Sequence, residues 1–150
     1  MNAPRWSAVL LSAALFVPTL PMLVHAETGK TEIKGAAILE HPCGKVAVKH
    51  MGLVHAGKMD EASQLSTPEM QGKWKAMPEK DRAMMSDMMK EMSKTEAQFA
   101  ADIKAGGLLV VEGKSATLTV EQHHKDANGT VDDKMTQTFA LDGGKCLITQ

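Results

Sequence analysis

Two alternating, β-branched-rich runs, Ala116 to His124 and Lys134 to Leu141, flank the dipeptide Asn128-Gly129 and constrain this chain more than any other feature. Asn-Gly is the pair that most favours a two-residue type I′ hairpin turn, because both central positions need positive φ. With Asn128 and Gly129 central, Leu118 is expected opposite Phe139, Ala116 opposite Leu141 and Val120 opposite Gln137. A turn at Gly143-Gly144 places Leu141 opposite Cys146 and Phe139 opposite Ile148; one at Gly113-Lys114 places Leu109 opposite Leu118 and Val111 opposite Ala116. Together the three turns put Leu109, Val111, Ala116, Leu118, Val120, Met135, Phe139, Leu141, Cys146 and Ile148 on one face. A one-residue slip at any turn would send part of that set into water, so a curved antiparallel sheet of about four strands is expected.

Upstream the period changes to that of helices. Pro42 sits where a helix begins, and Ala47, Met51 and Val54 recur at helical spacing until Gly57, a natural C-cap. A short second segment follows, with Met59, Ala62 and Leu65 on one side. Ser66 and Glu69 form a capping-box pattern with Pro68 at the helix start, so the next helix is expected to carry Met70, Trp74 and Met77 inward until Pro78 ends it. From Glu79 to Ser93, Met85, Met88, Met89 and Met92 form one stripe. Ser93 and Glu96 read as a second capping box, Phe99 and Ile103 lie four apart, and Gly106-Gly107 stops the helix. Residues 27–32 read as a loose polar leader, and 33–39 as either an edge strand or the entry to a helix. Helices followed by strands predict an α+β fold, the N-terminal helices packed on the C-terminal sheet, with residues 27–150 as a single domain.

The chain opens with one basic residue, Arg5, then an apolar stretch from Trp6 to Leu23 broken by Pro18 and Pro21, then Val24-His25-Ala26. This is the pattern of a secretory signal peptide spanning residues 1–26, cleaved between Ala26 and Glu27. The apolar stretch is too short and too interrupted for a membrane span, so periplasmic or secreted localisation is expected. The formal net charge of −1 becomes −2 once Arg5 is removed, with both signs interspersed; no nucleic-acid or anionic-membrane footprint results. The two cysteines, Cys43 and Cys146, remain after cleavage. Export makes a disulfide between them the default, since Cys146 falls on the core face of the last strand, within reach of a cysteine at a helix start; two free buried thiols are the alternative.

Beyond these signals the chain resembles a known group. Val46 to Leu65 is an apolar helix followed by Ala56-Gly57-Lys58-Met59-Asp60-Glu61-Ala62 and Leu65, and the strands read Gly113-Lys114-Ser115-Ala116-Thr117-Leu118-Thr119-Val120 and Gly144-Lys145-Cys146-Leu147-Ile148. This order resembles the NTF2-like (cystatin-like α+β) superfamily, especially small exported domains of the DUF4878 type. Lys58-Met59 ahead of Asp60, and Cys146 where the group often has Trp, depart from its pattern. The resemblance implies a cone of helices over a concave sheet, whose interior is a packed core, a ligand cavity or a catalytic pocket.

Met84, Met85, Met88, Met89 and Met92 are the loudest candidates for chemistry. Soft thioethers select Cu(I) or Ag(I), and this spacing stacks them on adjacent faces of one helix. The commoner use of methionine is to fill an irregular core in a chain poor in aromatics. Solvent exposure of Met84 beside Met88 separates the two, and an exposed patch would equally suit a protein partner. His50 and His55 are five apart, on different helical faces, and make no i, i+4 zinc pair. His123 and His124 point to opposite strand faces, with His124 expected opposite Asp133 as a surface pair. No nucleophile elbow, phosphate loop or HExxH is present, and there is no Tyr. The expectation is therefore a non-catalytic protein without cofactor or bound metal, binding a small apolar ligand or a protein partner. The alternatives are a periplasmic Cu(I)/Ag(I)-binding protein using the Met-rich helix, and an inhibitor or immunity-type protein for another exported protein.

Overall fold

The structure is a computed structural model that describes residues 29–126 and 129–149, with the side chains of residues 123–132 outside that description. The leader and its Ala26–Glu27 junction also lie outside the described residues. Five antiparallel strands follow one another in space as they do in the chain: β1 (Lys30–Lys34), β2 (Gly107–Glu112), β3 (Ser115–Asp126), β4 (Gly129–Asp142) and β5 (Lys145–Ile148). The five helices α1 (Pro42–His55), α2 (Met59–Ser63), α3 (Pro68–Ala76), α4 (Glu79–Met92) and α5 (Glu96–Gly106) lie between β1 and β2 in sequence. The class is α+β, with an open, uncurled sheet that has β1 and β5 at its edges.

The fifth strand comes from the segment expected to be a loose leader. Ile33 pairs with Leu109 and Thr31 with Val111, so β1 extends the sheet past β2. Gly35, at φ +57°, then turns the chain into a 3₁₀ helix over Gly35–Glu40, so the undecided stretch 33–39 is strand first and helix after. The turns at Gly113-Lys114 and Gly143-Gly144 set the expected pairs: Leu109 with Leu118, Val111 with Ala116, Leu141 with Cys146 and Phe139 with Ile148.

The central hairpin differs. Leu118 pairs with Gln137, Ala116 with Phe139 and Val120 with Met135, each two positions earlier on β4 than Asn128-Gly129 predicted, and His124 pairs with Val131 while Gln122 takes Asp133. Gly129 belongs to the ladder, opposite Asp126. An even shift leaves every side chain on its original face, so hydrophobic alternation cannot tell the two registers apart.

Inward-facing Leu109, Ala116, Leu118, Val120, Phe139, Cys146 and Ile148 meet Ile38, Cys43, Ala47, Phe99 and Ile103 in the main core. The helix ends that frame it are set locally. His41 caps α1, its Nδ1 accepting from the Cys43 amide at 3.2 Å. Past its other end, Gly57 at φ +73° closes a double bond pattern, Gly57 N–H to Val54 O and Lys58 N–H to Leu53 O, the Schellman arrangement. The two expected capping boxes are not those formed. Ser66 is buried beside β5 and Thr67 is the N-cap of α3, while Glu69 pairs with Lys73 at 2.7 Å. At α5 the box is Thr95 with Gln98, because Ser93 closes α4 instead, its hydroxyl donating to Lys90 O.

Cys43, in the first turn of α1, and Cys146, in β5, form a disulfide with Cα atoms 5.0 Å apart and a sequence separation of 103. Both are buried. Replacing the pair with alanine, followed by urea unfolding, is expected to cost about 3–5 kcal/mol, the scale of closing a loop that long. Gly44 next door has no room for a side chain: an added Cβ would meet the carbonyl of Ile38. Gly44→Ala is expected to cost about 3 kcal/mol in the same measurement, through displacement of the 3₁₀ helix from α1.

Candidate functional site: a methionine-lined groove

β4 spans Gly129–Asp142 but β5 only Lys145–Ile148; their register runs to Phe139 with Ile148, and a last bond joins Thr149 N–H to Thr138 O at 2.9 Å. Past that point the Leu65–Thr67 segment crosses the end of β5, with Ile148 N–H donating to Leu65 O at 3.0 Å and Thr67 N–H to Ile148 O at 2.9 Å. Among the described residues, Met135 to Gln137 on β4 have no neighbouring strand on that side, and the helices arch over them. The space between is a groove of about 560 Å³, within the usual range for small-ligand sites.

Its lining is chemically lopsided. The chain has twelve methionines, of which Met1 and Met22 fall among the first 26 residues. Nine of the other ten line this one groove: Met51 from α1, Met59 from α2, Met70 and Met77 from and after α3, Met85, Met88, Met89 and Met92 from α4, and Met135 from β4. The main core, by contrast, includes no buried methionine among its members. The four-residue stripe read from the sequence is therefore brought together around one space, but not as packing under the sheet. No residue of α4 is buried. Met84 lies outside the groove at 70 % exposure, and Met88 and Met92 sit at its rim, 53 % and 79 % exposed.

The outer wall is tied in place by polar contacts at both ends of α4. Trp74 Nε1 donates to Asp60 Oδ1 at 2.7 Å, and Arg82 of α4 approaches the same carboxylate at 3.8 Å while lying over the Trp74 ring, 6.0 Å from its centroid. These contacts join α2, α3 and α4. Below them Val54, Met59 and Ala62 form a second small core, with Leu53, Trp74 and Met89 against it. At the far end His55 Nδ1 contacts Ser93 O at 3.3 Å, and Lys94 pairs with Asp102 at 2.7 Å.

Two groove residues escaped sequence reading. His50, set aside because its spacing to His55 makes no zinc pair, faces the groove, and burial holds its imidazole below the ordinary value of 6.5. Gln137 sits at an inward register position between Met135 and Phe139, and is itself buried. Its signal was polarity at a position where the strand period demands an apolar residue. His123 and His124 have side chains outside the described residues. His41, Cys43 and Cys146 are the one His/Cys/acid trio close enough for a metal ion among the described residues, but the disulfide consumes both sulfurs.

No family model, curated protein or solved structure matches this chain. No helix among the described residues is long and apolar enough to cross a membrane. What fold and site define together is an α+β protein with a disulfide-clamped sheet and a thioether-walled groove beside it.

The imidazole gives the site a pH signature. Because the folded state holds His50 below its unfolded value, the unfolded chain binds the extra proton as pH drops through about 6.5, and stability is lost below that point. Urea midpoints at pH 7.5 and 5.5 are expected to fall further for the native protein than for His50→Gln.

Proposed function

We propose that this chain is a non-catalytic, exported binding protein that takes up a small apolar ligand in the methionine-lined groove. The observation that carries this reading is the segregation of methionine: nine line one groove, and none is buried in the main core. Unbranched, polarizable thioethers suit a wall that must adapt to an apolar guest, whereas well-defined rotamers suit a closed core. The NTF2-like resemblance supports a ligand space between helices and sheet. Export is supported by the leader pattern, and a disulfide is what an oxidising compartment sustains.

The test is titration with N-phenyl-1-naphthylamine, whose fluorescence rises and shifts to the blue in apolar sites. Micromolar binding is expected. Met85→Gln with Met89→Gln should weaken it roughly tenfold or more, because the guest would then desolvate two amides without partners. Met84→Gln, outside the groove, should leave it unchanged. Absence of a blue-shifted signal in the native protein removes the reading.

A second reading is favoured by one observation, an imidazole biased to its neutral form among soft thioethers. Under it His50 and the α4 methionines would hold Cu(I) or Ag(I). Replacing Met85, Met88, Met89 and Met92 by Leu separates the two. Leucine keeps the groove apolar, so probe binding survives, while Cu(I) binding measured by competition with bicinchoninate is abolished. Native Cu(I) affinity no tighter than micromolar excludes the metal.

A further inference from the structure

Among the buried side-chain polar atoms of the groove, one is left without a hydrogen-bond partner. Lys73 is neutralised by Glu69, Trp74 donates to Asp60, and the Ser63 and Ser93 hydroxyls donate to the backbone carbonyls of Asp60 and Lys90. Gln137 is different: the residue is 6 % exposed, it lines the groove, and its Oε1 is buried with no hydrogen-bond partner. A buried amide oxygen without a donor is costly, and such groups are nearly always satisfied by protein, water or ligand. Its inward-facing neighbours on the sheet, Met135, Phe139 and the opposite Leu118, carry no side-chain hydrogen-bond donor.

Resting on the reading of the groove as an apolar-ligand site, we propose that the ligand is an uncharged amphiphile. Its terminal donor, a hydroxyl or amide N–H, binds Gln137 Oε1, and its hydrocarbon body lies along Met85, Met89 and Met135. The head is uncharged because the groove offers no free charge to an ionic head: no acidic residue lines it, its single lysine is engaged by Glu69, and burial favours the neutral form of its one imidazole, His50. A carboxylate or ammonium carried into such a wall would lose hydration with no counter-charge in return. A neutral donor exchanges one water for one acceptor, and that acceptor is otherwise orphaned.

The experiment compares decan-1-ol with nonyl methyl ether as displacers of bound N-phenyl-1-naphthylamine. The two have equal numbers of heavy atoms, but the ether accepts and cannot donate. The native protein is expected to bind the alcohol about tenfold more tightly, the scale of one buried hydrogen bond. In Gln137→Met, which keeps the side-chain length, that preference should vanish or reverse while the probe still binds. Should the variant fail to fold, the comparison in the native protein decides alone. Equal displacement by both compounds, or displacement by neither while the probe binds, overturns the proposal and leaves the groove reading standing. Failure of the probe itself to bind overturns the groove reading.

Discussion

The mismatch in length between β4 and β5 is the constraint on which the site depends. Beside the short β5, Met135 to Gln137 keep one edge free of a described strand, and the Leu65–Thr67 segment takes the outer hydrogen bonds of Ile148 where β5 ends. The disulfide makes this ending stable: it ties the short strand to the first turn of α1, next to the point where Gly44 lets the backbone of Ile38 approach closely. One end of the helical layer is thereby anchored to the sheet by a covalent bond, while the glycine contact holds α1 against the 3₁₀ helix.

The other end is held differently. Phe99 and Ile103 fasten α5 into the main core, but α3 and α4 contribute no fully buried residue. Their positions rest on the shared carboxylate of Asp60, the stacking of Arg82 on Trp74 and the contact of His55 with Ser93. Such partly exposed contacts each contribute little, and they are softened further by salt. The outer wall of the groove is thus loosely packed, while its floor on β4 belongs to the sheet.

Much of this architecture was legible in the sequence where short-range chemistry is decisive. Gly113-Lys114 and Gly143-Gly144 fixed two strand registers, Pro42 and Gly57 bounded α1, and the two cysteines met as the register of the last strand implied. The central hairpin was not legible to the same degree, because a shift of two preserves alternation and only the closing geometry distinguishes Leu118 opposite Phe139 from Leu118 opposite Gln137. β1 was missed since Lys30, Glu32 and Lys34 read as loop when their partner strand is unknown. The capping boxes at Ser66 and Ser93 failed because each serine was already engaged, one beside β5 and one closing the preceding helix. The stripe on α4 was visible as periodicity, yet periodicity cannot say whether a helix face meets protein or open space. That required knowing where β5 stops.

A lining of straight thioether chains has many shapes of nearly equal energy, and β-branched or aromatic linings have few. Molecules of different girth or bend can therefore be accommodated by rotating methionines, with no displacement of the strands beneath. Discrimination by outline is correspondingly poor in such a cleft. Under the proposed reading, selectivity falls to the few fixed polar atoms, so a single amide on a rigid strand can weigh more in choosing the guest than the whole sulfur-rich surface around it.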